Sequence, residues 1–175
     1  MSQVTEYSEK VMDHFRNPRN VGTIENACFA NCHGLTKVKL PYATKAISNE
    51  AFLNCINLKE IDFANTNFIG TRQFANCTSL ETINISNTVY VVNGESFINC
   101  TNLKSVTFES GSNPLALNSS NFKGCNKLKT LKLPRQTTTI TDNLLAGSVI
   151  DVLDLSSIDT FFDYVNLGTD NPIMN

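Results

Sequence analysis

At 175 residues, 41% of them hydrophobic, with a formal net charge of −2, the chain is long enough for one domain with its own core and has no basic excess to favour nucleic acid. No run approaches the ~18 consecutive apolar residues of a membrane-spanning helix, so no membrane insertion is expected. The first 30 residues carry Glu6, Glu9, Lys10, Asp13, Arg16 and Arg19 and no apolar core, so no secretory signal is expected either.

The chain opens with a short amphipathic pattern. Tyr7, Val11 and Phe15 fall on one face of a helix spanning roughly Thr5–Phe15, Glu6 and Lys10 pair at i,i+4, and Asn17-Pro18 ends it. Residues 1–26 therefore read as an N-terminal helix and linker, placed to cover the first coil of a repeat array. From Phe29 onward one string recurs. It runs Phe29…Cys32…Leu35…Val38…Leu40, then Phe52…Cys55…Leu58…Ile61…Phe63, then Phe74…Cys77…Leu80…Ile83…Ile85. Two further copies start at Phe97…Cys100 and Phe122…Cys125, and a weakened sixth keeps Leu144, Ile150, Leu153 and Leu155 with Gly147 at the cysteine position. Successive cysteines lie 23, 22, 23 and 25 residues apart. A fixed period in this range is the signature of a solenoid in which each copy forms one coil.

Within a copy, Ile61 and Phe63 alternate with Glu60 and Asp62, the period of a short strand with one buried face, and stacking pairs such strands in parallel into one sheet. Phe52, Cys55 and Leu58 are three apart, the rhythm of a short helical or 3₁₀ turn. The residue before each cysteine is Asn31, Asn54, Asn76, Asn99 and then Gly124, the two residue types that tolerate positive φ. The expected fold class is an α/β repeat: a solenoid of five clear coils and one degenerate coil over residues 27–167, with Phe161, Phe162 and Tyr164 plugging its far end and a loose tail over 168–175.

Five of the six cysteines share one repeat position, which reads as a ladder of free, buried thiols. Cys28-x-x-x-Cys32 has no second ligand pair, and the two histidines, His14 and His33, sit in no catalytic context, so neither a metal, a cofactor nor a catalytic residue is expected. Asn76-Cys-Thr78, Asn99-Cys-Thr101, Asn84-Ile-Ser86 and Asn118-Ser-Ser120 match the glycosylation pattern, the first two as by-products of the repeat. What remains is a surface. Side chains alternating with the buried strand positions should line one face: Lys37/Lys39, Glu60/Asp62, Thr82/Asn84, Ser105/Thr107, Thr130/Lys132 and Val152/Asp154. A binding site on it would centre on Glu60, Asp62, Thr82, Asn84, Ser105 and Thr107, with the basic stretch Lys123, Lys127, Lys129, Lys132 and Arg135 as the second candidate.

Two stretches resemble known families. Ala51-Phe52-Leu-Asn-Cys55-Ile-Asn-Leu58-Lys-Glu-Ile61-Asp-Phe63 resembles the BspA-like class of leucine-rich repeats, with Pro41 and Pro134 after the strand and Ile69-Gly70 at its Ile-Gly step. That resemblance implies a leucine-rich-repeat solenoid and a non-enzymatic, adhesin- or surface-antigen-like module that binds a protein or extended peptide. Tyr7-Ser-Glu-Lys-Val11-Met-Asp-His14-Phe-Arg-Asn-Pro18-Arg-Asn-Val21-Gly22 resembles the opening of NifU/IscU-type iron–sulfur cluster scaffolds. It stops before that family's cluster cysteines and implies, as the alternative function, a truncated or fused component of cluster assembly. The compartment stays open: the repeat family points to the cell surface, the absent signal and unpaired cysteines to the cytoplasm.

Overall fold

The computed structural model describes residues 23–40, 44–63, 65–133 and 137–156. The expected N-terminal helix, the Phe161–Tyr164 plug and the 168–175 tail lie outside them. Each coil is a short strand, a tight turn carrying the Phe-x-Asn-Cys string, and a second strand. The first strands are β1 (Thr23–Ile24), β3 (Ala46–Ile47), β5 (Phe68–Ile69), β7 (Val91–Val92), β9 (Leu115–Leu117) and β11 (Thr137–Ile140). The second strands are β2 (Lys37–Lys39), β4 (Glu60–Asp62), β6 (Thr82–Ile85), β8 (Ser105–Phe108), β10 (Thr130–Lys132) and β12 (Val152–Asp154). Every strand pairing is parallel.

Two features differ from the single sheet read from the sequence. The odd-numbered strands make a sheet of their own, β1-β3-β5-β7-β9-β11, through all six coils. The even-numbered strands form two sheets, β2-β4 and β12-β10-β8-β6, so the ladder is interrupted between β4 and β6. The interruption coincides with Ile61, which is only partly buried where Val38, Ile83, Val106 and Leu131 are buried.

The turns are not helical, and no helix occurs among the described residues. The expected α component is thereby corrected, and the hydrogen bonds give the reason. In the second coil the amides of Glu50, Phe52 and Asn54 donate to the carbonyls of Thr71, Gln73 and Ala75 in the next coil, at 2.9 Å each. Only the intervening amides turn back on the chain, Leu53 to Glu50 and Cys55 to Phe52. The same alternation recurs in the third and fourth coils, as in Phe74 to Ser96 and Asn76 to Ile98. A helix would claim all these amides for itself; here alternate ones run along the stack. That alternation needs two left-handed residues per turn, four apart. They are Glu50 and Asn54 (φ 56° and 58°), Arg72 and Asn76 (52° and 61°), Glu95 and Asn99 (58° each), and Ser120 with Gly124. The asparagine position behaves as its chemistry implies, and Gly124 and Gly147 occupy it further along.

Side chains repeat the axial theme. Phe29, Phe52, Phe74, Phe97 and Phe122 stack nearly face to face at centroid spacings of 5.2, 5.4, 5.4 and 5.7 Å. Asn54 Nδ2 donates to Asn31 Oδ1, Asn76 to Asn54 and Asn99 to Asn76, at 2.9, 2.7 and 3.0 Å. This chain of amides engages the half-buried Asn76 and the exposed Asn99, the first two glycosylation matches. Each phenylalanine carbonyl accepts two bonds: Phe52 O takes the Cys55 amide and, at 3.3 Å, the Cys77 thiol of the next coil. Cys55, Cys100 and Cys125 donate likewise to Phe29, Phe74 and Phe97. The cysteine slot thus wants a small side chain with a donor at its tip, which is more than a small hydrophobe.

That rule resets the register of the sixth coil. Ser148 Oγ donates to Phe122 O at 2.7 Å, and the Phe122 and Gly124 amides donate to Leu144 O and Ala146 O. Ser148 therefore fills the cysteine slot, Gly147 the asparagine slot and Leu145 the phenylalanine slot, each one residue later than the sequence spacing places them. The missing residue falls between Ser148 and the buried Ile150, because β12 still pairs Leu153 with Leu131. Gly70 is fixed by contact: a Cβ there would sit 2.7 Å from the Ser48 backbone of the coil before it.

The asparagine chain makes a testable prediction. Asn76→Gly keeps the left-handed turn and loses two amide bonds, an expected loss of about 1–2 kcal/mol. Asn76→Ala adds the left-handed penalty, for a total of about 2–4 kcal/mol. Urea unfolding of the two variants should rank them in that order; equal losses would show that φ is not what asparagine supplies.

Candidate functional site

The even-numbered strands put alternate side chains outward because their partners Val38, Ile83, Val106 and Leu131 are in the core. Register sets those outward residues in columns. Lys37 lies beside Glu60 and Lys39 beside Asp62; Thr82 lies beside Ser105 and Asn84 beside Thr107; Thr130 continues from Ser105 to Val152. All six candidate residues are therefore on this one face. Glu60, Asp62, Thr82, Asn84 and Thr107 are exposed and Ser105 partly so. Glu60 and Asp62 stand across the β4–β6 interruption from the other four.

Several charges on this face are answered by charges in adjacent coils. Lys37 pairs with Glu60, which raises the lysine pKa through a direct hydrogen bond and the carboxylate charge. Lys104 lies 2.7 Å from Glu81 and holds its carboxyl below the usual range. Lys132 meets Asp154 at 3.1 Å; Ser156, through its hydroxyl and amide, and then Lys132 bring that carboxyl down to about 2. Asn84 donates to Glu109 at 3.1 Å. Between these pairs, Thr82, Ser105, Thr107 and Thr130 make an uncharged strip of hydroxyls across three coils. Exposed pairs of this kind contribute little stability, but they leave the face nearly neutral.

The basic stretch does not gather into one site. Lys129 pairs with Asp151 at 3.5 Å and Lys132 with Asp154, Lys127 donates to Asn102 at 2.6 Å, and Lys123 is exposed on the turn, away from the strand face. Arg135 lies outside the described residues. On the turn side, Arg72 sits between Glu50 and Glu95, at 3.6 and 3.9 Å, so another column alternates in charge.

Stacked parallel strands, a phenylalanine stack and a thiol in the turns of five coils are repeat features, and comparison with known families places them. The model of the BspA type leucine-rich repeat region matches in six copies, over residues 5–118 and 111–167. The chain belongs to this family. Its match begins at residue 5 and so runs over the segment resembling the NifU/IscU scaffolds, and that resemblance gains no support from it. Among solved structures, the chain is similar to the leucine-rich repeat protein TpLRR of T. pallidum, at 23% identity and a TM-score of 0.60, over 71% of this chain and 69% of that one. A leucine-rich repeat protein from Bacteroides ovatus also aligns, at 18% identity and a TM-score of 0.38, over 86% of this chain and 48% of its own. The first likeness confirms the fold. No curated protein matches the chain. No helix among the described residues is long and apolar enough to cross a membrane.

The family's cysteine position governs what chemistry the thiols can do. None of the six cysteines is in a disulfide; Cys55, Cys77, Cys100 and Cys125 are buried and Cys28 and Cys32 partly so. Burial pushes the Cys55 thiol up to about 12, with Cys32 adding to it, and burial pushes Cys125 to about 12. Cys77 and Cys100 move the same way. Metal ligation and nucleophilic attack need thiolates, and these four are held as thiols that donate. No group of three or more His, Cys, Asp or Glu suited to a metal occurs among the described residues.

A raised thiol pKa stabilises the fold below the unfolded value, ~8.5, and that contribution is lost as pH climbs toward the folded value. Under reducing conditions, stability measured by urea unfolding should therefore fall between about pH 9 and about 12. Cys55→Ser/Cys125→Ser, which copies the donor role of Ser148, should flatten that fall relative to the parent. Identical alkaline profiles for the two proteins would contradict the assignment.

Proposed function

We propose that the chain acts by binding rather than catalysis, as a module that holds an extended segment of another protein against its even-strand face. Leucine-rich repeat proteins generally bind proteins. The observation that carries the reading here is the straight register of outward side chains, Thr82 beside Ser105 and Asn84 beside Thr107, with Glu60 and Asp62 at one end. Each coil offers a new pair of groups at strand spacing, so a partner lying along the stack meets them in sequence. An adhesin-like place at a cell surface fits the same reading. The cluster-assembly alternative draws on residues 7–22 alone, and no described residue adds to it.

The ion pairs refine which residues should matter. Lys37 already answers Glu60, so recognition should rest on the neutral centre, and affinity should depend weakly on salt. Peptides selected for binding from a displayed random library give the test. Thr82→Arg/Thr107→Arg should reduce their affinity at least tenfold with the melting temperature unchanged, since both side chains point to solvent. Lys123→Glu, on the turn, should have no effect. Binders that ignore the first variant and lose affinity in the second would move the site to the basic stretch.

A further inference from the structure

The outer face of the odd-strand sheet has a character opposite to that of the even-strand face. Ile47, Ile69, Val92 and Leu117 are fully buried, so their strand neighbours Ala46, Phe68, Val91 and Ala116 point outward. Register places those four side by side in consecutive coils: Ala46 beside Phe68, Phe68 beside Val91, Val91 beside Ala116. All four are only partly buried, and Tyr90, just before β7, is 48% exposed at the edge of the row. The rim is polar. Lys45 and Asn67 flank the row with Tyr90 on one side, and Ser48, Asn93 and Asn118 flank it on the other, where Asn118 Nδ2 donates to Asn93 Oδ1 at 3.1 Å. An apolar centre with an aromatic and a polar rim is the layout of an interface.

We infer that this row is a second docking surface, and that it receives one amphipathic helix of a partner protein lying along the stack. Size argues against a second copy of the chain. At ~4.8 Å per coil the sheet is about 24 Å long and its outward row about 10 Å wide, roughly 250 Å², where a stable dimer takes about 800 Å² from each partner. Spacing argues for a helix over an extended segment. A helix presents one apolar position per ~5.4 Å turn, within about 2 Å of the coil spacing over the three steps from Ala46 to Ala116. A strand presents same-side residues ~6.7 Å apart and is out of step by about 6 Å over the same span. Relief sets the pattern: large helix side chains belong over Ala46 and Ala116, small ones over Phe68 and Val91. The proposal is independent of the even-strand reading.

The chain contains no tryptophan, so the emission of a tryptophan on the probe reports binding directly. The probe is a side-chain-stapled helical peptide of ~14 residues with large, small, small, large residues in its apolar row and a tryptophan at one end of that row. Titrated with the full chain, it should show a saturable blue shift; a stapled peptide of the same composition in scrambled order should not. Val91→Asp should weaken binding at least tenfold, and Tyr90→Ala, which removes an exposed side chain and leaves the core alone, severalfold. Thr107→Arg, on the even-strand face, should leave binding of this probe unchanged. Equal binding of the scrambled peptide, or affinity untouched by both Val91→Asp and Tyr90→Ala, overturns the proposal. So does a concentration-dependent dimer in sedimentation that Val91→Asp abolishes, which would make the row a contact between copies. Binding seen only after residues 1–22 are removed would overturn it too, by assigning the row to the chain's own N-terminal segment.

Discussion

Everything in this solenoid depends on the direction of the turn amides. In each Phe-x-Asn-Cys turn, alternate N–H groups point along the stack to the next coil while the others close i→i−3 bonds. A coil cut out of the stack would lose those partners on both sides, and its four or five large apolar groups could not offset the ordering of some 22 residues. Stability is therefore a property of neighbouring coils. The residues that look like consensus are those that satisfy groups in the coil before or after: phenylalanine by stacking, asparagine by its amide chain, cysteine by giving the phenylalanine carbonyl its second donor.

The same axial logic reaches the surface. Lys37–Glu60, Glu81–Lys104, Lys129–Asp151, Lys132–Asp154 and Glu50–Arg72–Glu95 all join one coil to the next. Charges that a sequence reading offers to a partner are in part answered within the molecule, which leaves the even-strand face balanced and its centre hydroxylic. The odd-strand face presents Ala46, Phe68, Val91 and Ala116, side chains with no charge to pair. The two faces thus differ in kind, one polar and one apolar, and a partner that suits one does not suit the other.

The repeat period, the even strands and the positive φ at the asparagine position were legible because each leaves a periodic mark in the sequence. The second sheet was not. Ala46-Ile47, Phe68-Ile69 and Val91-Val92 are two-residue strands, too short to show an alternation, and only their place beside one another in the stack makes them a sheet. The helical reading of the turns failed for a related reason. A spacing of three among Phe52, Cys55 and Leu58 fits one helical turn and an arch with two left-handed residues equally well, and inter-coil bonding decides between them. The other left-handed position holds Ala27, Glu50, Arg72, Glu95, Ser120 and Asn143, a mixture with no shared chemistry to read. In the sixth coil, serine for cysteine hid the register until the bond from Ser148 to Phe122 revealed it. Of the candidate site, its membership in one face followed from alternation alone, whereas the ion pairs depend on which rotamers meet across coils.

Hydrogen exchange at single amides tests the account most directly. If the turns are sheet-like ladders along the stack, the amides of Phe52, Asn54, Phe74, Asn76, Phe97 and Asn99 should exchange as slowly as those of Ile83 and Val106 in the strands, with protection set by global unfolding. If those turn amides instead exchange orders of magnitude faster than the strand amides, the coils are joined by their strands alone and the central claim is wrong.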